Sequence, residues 1–284
     1  MLIEKCGVFM KKNIFILLFF VAGITAQNKI NYFPGELNIQ PFIGNTLEPK
    51  IGTVFQIANN ELELNIGNSL DIFQIENKIG KFSAGVDFFT FTLLRSESNF
   101  HFPVDAVDYL FGVNFGFKAN LENNFITEIG FRLRLSHISA HFVDGHWDNT
   151  STGTWRDGRM PMVYSREFVE FLPFMKIKNF RFYAGFTYLY HVDPSTIKKD
   201  NYQAGFDFTY RLMDNLFLFS GYDLKIIHLS DYSANHNINI GFKFGKQKGR
   251  GISFFYEYYS GKSYHGEYFN VEQKFSAFGF NIDL

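Results

Sequence analysis

The sequence predicts an all-β chain: an antiparallel transmembrane β-barrel of about twelve strands that follows a cleaved signal peptide. Three observations predict it. Apolar and polar residues alternate with period 2 through most of the chain. The connections between the alternating segments are short and long by turns. The composition sets 38 Phe and 15 Tyr against 7 Pro, which suits strands with a lipid-facing surface and interfacial aromatic girdles.

The export signal comes first. Met10 opens "MKKNIFILLFFVAGITAQ", and "MLIEKCGVF" before it reads as an upstream extension. Lys11 and Lys12 form a positive start, Ile14 to Ala22 an apolar run, and Ile24-Thr25-Ala26 a small-residue site for cleavage before Gln27. The apolar run is shorter than the ~20 residues of a spanning helix, and no cysteine follows it for lipoprotein processing. The single cysteine, Cys6, precedes the cleavage site, so disulfide and thiol chemistry are not expected of the mature chain. Residues 1–26 are thus extension and signal peptide, 27–49 an N-terminal periplasmic segment, and 50–284 the barrel. Removing Lys5, Lys11, Lys12 and Glu4 from 27 basic and 28 acidic residues leaves 24 and 27. That balance gives no electrostatic basis for binding nucleic acid.

Twelve strands are expected to begin near Lys50, Glu61, Ile79, Val104, Asn124, Tyr164, Asn179, Tyr202, Leu216, Asn237, Gly251 and Val271. "NYQAGFDFTY", "NINIGFKF" and "ISFFYEYYS" alternate most clearly. The turns "NK", "LEN", "IKN", "MDN" and "KQKG" are tight, whereas "SESNFHFP", "VDGHWDNTSTGTWRDGRMP", "DPSTIKKD", "LSDYSANH" and "GKSYHGEYF" are longer. Short turns at one end and long loops at the other are the pattern of periplasmic and extracellular barrel ends; "ANN" after the first strand breaks it. The final "AFGFNIDL" puts Phe278, Phe280, Ile282 and Leu284 on one face and resembles the signal read by barrel-assembly machinery. A soluble sandwich or lipocalin-like barrel is the competing fold, and it would have to cover its Phe-rich faces with protein rather than lipid.

If the apolar faces meet lipid, Glu128, Arg132, Arg134, Asp207, Asp223, Lys225, Lys243 and Glu257 face the lumen. A filled, salt-bridged interior is the leading expectation, and a narrow channel filtered by these charges is the alternative. The fifth strand, "FRLRLSHISAHF", then points its arginines inward and carries His137, Ser139 and His141 outward, near the outer-leaflet headgroups. A serine two residues from a histidine on one face stands ~7 Å from it along the backbone. An imidazole that leans across that gap can take the hydroxyl proton and make Ser139 an acyl-transfer nucleophile, with His137 as base. A third group must hold the other ring nitrogen, and Glu167 on the next strand is the first choice. A carboxylate on an otherwise apolar face is costly without a partner or an interfacial position. The competing reading makes His137, Ser139 and His141 polar rim residues above the lipid band.

The "HIS" run at 137–139 with Glu167 resembles outer-membrane phospholipase A and the lipid A deacylases, barrels with a His-x-Ser pair on the outer wall oriented by Asn in one and Glu in the other. The resemblance implies hydrolysis of lipid acyl chains at the outer leaflet; the alternative is a non-catalytic barrel, either a narrow channel or a structural, surface-binding protein. A broader similarity rests on "LEPKIG" (47–52), "RLSHISAHFVD" (134–144), "YSREFVEFL", "RFYAGFTYLYH", "FSGYDLK" and "YEYYSGKSYHGEYF" (256–269). Their order and spacing resemble domain-of-unknown-function family 1207, which implies an outer-membrane barrel of a Gram-negative bacterium without naming a reaction. Where that family carries a second serine, this chain has Ala140.

Metal chemistry has weaker candidates. His137, His141 and His146 with Asp144 and Asp148 suggest a metal site, and calcium is conceivable on Asp144, Asp148 and loop carbonyls, but zinc needs three or four converging ligands and the spacing is no calcium-loop signature; no metal is expected, with His141, Asp144 and Asp148 the weak candidates. "GKQKGRG" at 245–251 has no phosphate-loop pattern and falls at an expected periplasmic turn. The expected partners are outer-membrane lipid and, during biogenesis, the assembly machinery.

Overall fold

The computed structural model describes residues 29–121, 125–148 and 153–284. The expected extension and signal peptide lie outside the described residues, as do parts of the "LENN" turn and of the longest loop. The strands are β1 Lys29–Tyr32, β2 Ile51–Gln56, β3 Glu61–Glu76, β4 Lys81–Arg95, β5 Val104–Asn120, β6 Glu128–Phe142, β7 Trp147–Asp148 and β8 Thr154–Trp155. They continue as β9 Tyr164–Ile177, β10 Phe180–Asp193, β11 Asp200–Met213, β12 Leu216–His228, β13 Tyr232–Gly245, β14 Gly251–Lys262 and β15 Glu272–Asp283. Strands β2–β6 and β9–β15 form a closed twelve-stranded antiparallel barrel. Its last strand returns to its first through the pairs Ala277↔Gln56 to Ile282↔Ile51. The small β7–β8 hairpin lies in the longest loop.

Alternation explains the wall. Along β14, Ile252 and Phe254 are exposed while Ser253, Phe255, Glu257 and Tyr259 are buried. Phe88, Phe111, Phe254 and Phe278 are each more than half exposed. Leaving such a side chain in water forgoes roughly 1.5–3 kcal/mol apiece, a loss that hydrocarbon removes. Outward aromatics also pair between strands, as Phe180 does with Phe208, their ring centroids 4.8 Å apart.

The expected strand starts agree with the structure to within a few residues. The fifth barrel strand begins at Glu128 and the tenth at Tyr232 rather than near Asn237. "LSDYSANH" therefore contracts to a connection of Leu229 to Asp231. Its Ser233 and Asn235 belong to β13 and pair with Ile227 and Lys225. Asn235 reads as loop by composition, yet inside the barrel its amide donates to the Lys262 carbonyl and accepts from the Lys262 N–H.

The segment expected as a periplasmic stretch at 27–49 packs, over its described residues, onto and into the barrel. β1 and β2 both pair with the same edge of β3, β1 with Phe73–Glu76 and β2 with Leu62–Asn65. Between them, residues 33–50 leave the wall and run through the lumen. Strands around much of the barrel hold this segment. Lys118 donates to the Asn38 carbonyl, Arg181 to those of Gln40 and Pro41, Asp207 accepts from Ile43 N–H, and Asn237 donates to Gly44. Phe42 is wholly buried between the guanidinium groups of Arg132 and Arg181, 4.7 and 4.2 Å from its ring centre. The segment carries the carboxylate and the carbonyls that the inward arginines require, which is why it enters the barrel.

At the other end the β14–β15 loop folds inward. Asp108 accepts from His265 Nδ1 at 3.0 Å and from the Gly266 N–H at 2.7 Å. A Cβ on Gly266 would stand 2.2 Å from the Tyr164 ring and 2.6 Å from Ala140, so only glycine fits there. The lumen is thus filled from both mouths, with a cavity of about 630 Å³ remaining on the turn side.

Candidate functional site

β5, β6, β9 and β10 lie side by side, and their registers stack outward residues into rows across the wall. The lowest of three rows is apolar: Val113, Leu135, Val169 and Tyr188. Above it, toward the long loops, stand Phe111, His137, Glu167 and His191. The next row holds Tyr109, Ser139, Ser165 and Asp193. Two rows carrying polar groups thus lie on the long-loop side of the apolar row; a carboxylate on this face is costly without a partner or an interfacial position.

β6 pairs without a bulge from Ala106↔Phe142 to Asn120↔Glu128 on one side and from Glu128↔Lys176 to Ala140↔Tyr164 on the other. Strict alternation therefore holds. Arg132 and Arg134 are buried inside, while His137 and Ser139 face out. His137 Nδ1 is 2.6 Å from Glu167 Oε1. A carboxylate only accepts, so Nδ1 carries the proton and Nε2 is the free base. The Ser165 hydroxyl also reaches Oε1, at 3.4 Å. The Phe111 ring covers one side of His137, with centroids 4.9 Å apart. Ser139 shares the outward face two residues on, and no hydrogen bond joins its hydroxyl to His137.

The structure thus joins His137 to Glu167 and leaves Ser139 beside them. His141 faces outward near Tyr109, and Asp144 opens a short 3-10 turn after β6. Among the described residues, no three His, Cys, Asp or Glu converge as metal ligands, so His141, Asp144 and Asp148 are not gathered into a site. His146 is buried instead, stacked on Phe142 and bonded to the Arg159 carbonyl and the Tyr268 hydroxyl.

Sequence reasoning missed His191. It closes the "RFYAGFTYLYH" run, and simple alternation from Tyr183 and Leu189, both buried, would point it into the lumen. A register shift between Leu189 and His191 turns it out, where Nδ1 stands 2.5 Å from Glu167 Oε2. One carboxylate therefore bridges two imidazoles.

Comparison with protein families matches residues 67–283 to "Protein of unknown function (DUF1207)". The chain belongs to the DUF1207 family. No curated protein matches it. Among solved structures, outer membrane phospholipase A from Escherichia coli is similar, with a TM-score of 0.57 at 12% identity over 84% of this chain and 99% of that one. The Salmonella typhi outer membrane phospholipase dimer with bound calcium gives 0.54 at 10% identity, over 83% of this chain and 91% of that one. The outer-membrane OmpT of Vibrio cholerae gives 0.42 at 9% identity, over 90% and 97%. At such identities the likeness to the two phospholipases establishes the fold, and this DUF1207 chain is a β-barrel of the Gram-negative outer-membrane type.

Proposed function

We propose that this DUF1207 barrel is a serine-dependent lipid-acyl hydrolase, of phospholipase or lipid A deacylase type, working at the outer leaflet. The observation that carries the reading is the 2.6 Å contact of His137 Nδ1 with Glu167, on the outward face and two residues from Ser139. The contact holds the imidazole in the tautomer whose Nε2 accepts a proton.

In this scheme the Ser139 hydroxyl closes on His137 Nε2 as a lipid ester enters from the bilayer side, since catalytic hydrogen bonds often tighten only with substrate bound. Ser139 Oγ attacks the ester carbonyl while Nε2 takes its proton, and Glu167 stabilises the imidazolium. The tetrahedral adduct then expels the alcohol, which leaves with the proton from Nε2, and an acyl-serine remains. Water, available at headgroup depth, attacks that ester with His137 again as base. Fatty acid leaves and Ser139 regains its proton. Membrane lipid is both the solvent of the barrel and the substrate pool. The terminal strand β15 recruits the assembly machinery during biogenesis. The channel alternative has little support, because residues 33–50 and the β14–β15 loop occupy the lumen.

The test is fatty-acid release from phospholipid and from lipid A by protein refolded in detergent. Ser139→Ala and His137→Ala are each expected to lower release by on the order of 10³-fold, and Glu167→Gln by about 10²-fold or more. Equal release by wild type and Ser139→Ala would end the hydrolase reading and leave the barrel intact.

A further inference from the structure

We propose that His191 is a positioning residue: it holds the second oxygen of Glu167 so that the first stays aimed at His137 Nδ1. The catalytic consequence rests on the hydrolase reading above; the coupling between the two histidines does not.

The geometry is specific to three neighbouring strands. His137, Glu167 and His191 are register partners in one row, and the two carboxylate oxygens are divided between the rings at 2.6 and 2.5 Å. Glu167 stands on the outer wall with its side chain 25% exposed, where a glutamate without partners would sample several rotamers. A donor on the far side removes that freedom. The β10 irregularity at Tyr190 exists at this point alone on the strand, and its effect is to present His191 to Glu167. Bulges are a known means of re-aiming one side chain beside a functional site.

The two imidazoles are not equivalent. His191 Nε2 lies 3.8 Å from Asp193 Oδ2, so His191 stands between two carboxylates, whereas His137 has one.

The experiment follows the ¹⁵N ring signals of histidine-labelled protein in detergent micelles, for wild type, His191→Asn and His191→Ala. Asparagine keeps a donor near the Nδ1 position. Heat-modifiable gel migration verifies that each variant is folded. His137 is expected to show the Nδ1–H tautomer in wild type and His191→Asn, and a mixture of tautomers in His191→Ala. In parallel, His191→Ala is expected to lower kcat about tenfold with KM little changed, and His191→Asn to restore most of that loss. Identical His137 signals in all three proteins would overturn the proposal, as would a kcat for His191→Ala equal to wild type. Should wild type and Ser139→Ala release no fatty acid, the hydrolase reading falls, and the change of tautomer by itself decides whether His191 acts on the pair.

Discussion

Glu48 receives Arg132 at 2.7 and 2.5 Å and Arg134 at 3.1 Å, while Glu170 lies 3.1 Å from Arg132 and Asp87 lies 3.0 Å from Arg134. All of these groups are buried. Two guanidinium groups inside a closed wall need carboxylates, and one of the three is carried by the inserted segment. Glu48→Gln keeps the shape and removes the charge, leaving the arginines short of one anion. The cost expected is about 3 kcal/mol, the lower end for breaking a buried ion pair, since Glu170 and Asp87 stay in place. The thermal midpoint of the gel-mobility transition in detergent should fall accordingly, whereas Glu36→Gln, which touches neither arginine, should not move it. Arg132 and Arg134 were legible as lumenal from alternation alone. Their main partner was not, because Glu48 lies more than 80 residues away in a stretch without strand pattern.

Among the elements, β6 and β10 show why alternation succeeds in one place and fails in another. β6 pairs continuously on both edges, so the parity of Arg132 and Arg134 carries through to His137 and Ser139. β10 has a register shift, and His191 emerges on the face opposite to its parity. The β14–β15 loop offers a pH test. Burial opposes charge on His265, but its hydrogen bond to Asp108, the Asp108 charge and the more distant Glu63 and Glu61 outweigh burial and raise it above the usual histidine range. With the folded value raised, the docked loop gains stability that is fully present below the unfolded value near ~6.5, and that gain is lost as pH rises through the folded value. Amide exchange across residues 263–271, corrected for its intrinsic pH dependence, is therefore expected to quicken between pH 6 and 9. In His265→Gln that dependence should disappear; if it persists unchanged, the imidazole is not what docks the loop.

For the whole molecule, the decisive feature is that a twelve-stranded ring is wide enough to need filling and receives its filling from its own chain. Refolded protein in a planar bilayer is expected to show no steady conductance above baseline. Removal of residues 35–48 together with shortening of the β14–β15 loop should open a pore, provided that the shortened protein retains its heat-modifiable migration. Steady conductance by the intact chain would restore the channel reading.

The amino-acid order by itself determined the barrel: strand number, most connections, the direction of the fifth strand and the outward face of His137, Ser139 and Glu167. Those properties are local, because side-chain direction repeats every two residues and lipid selects the apolar face. Only tertiary structure decided what fills the ring and what completes the polar row on its wall. The course of residues 33–50 depends on charged and polar side chains spread over seven strands, and the outward turn of His191 on a single irregularity that no period reveals. Both are settled by contacts between residues distant in sequence, which pattern along one strand does not record.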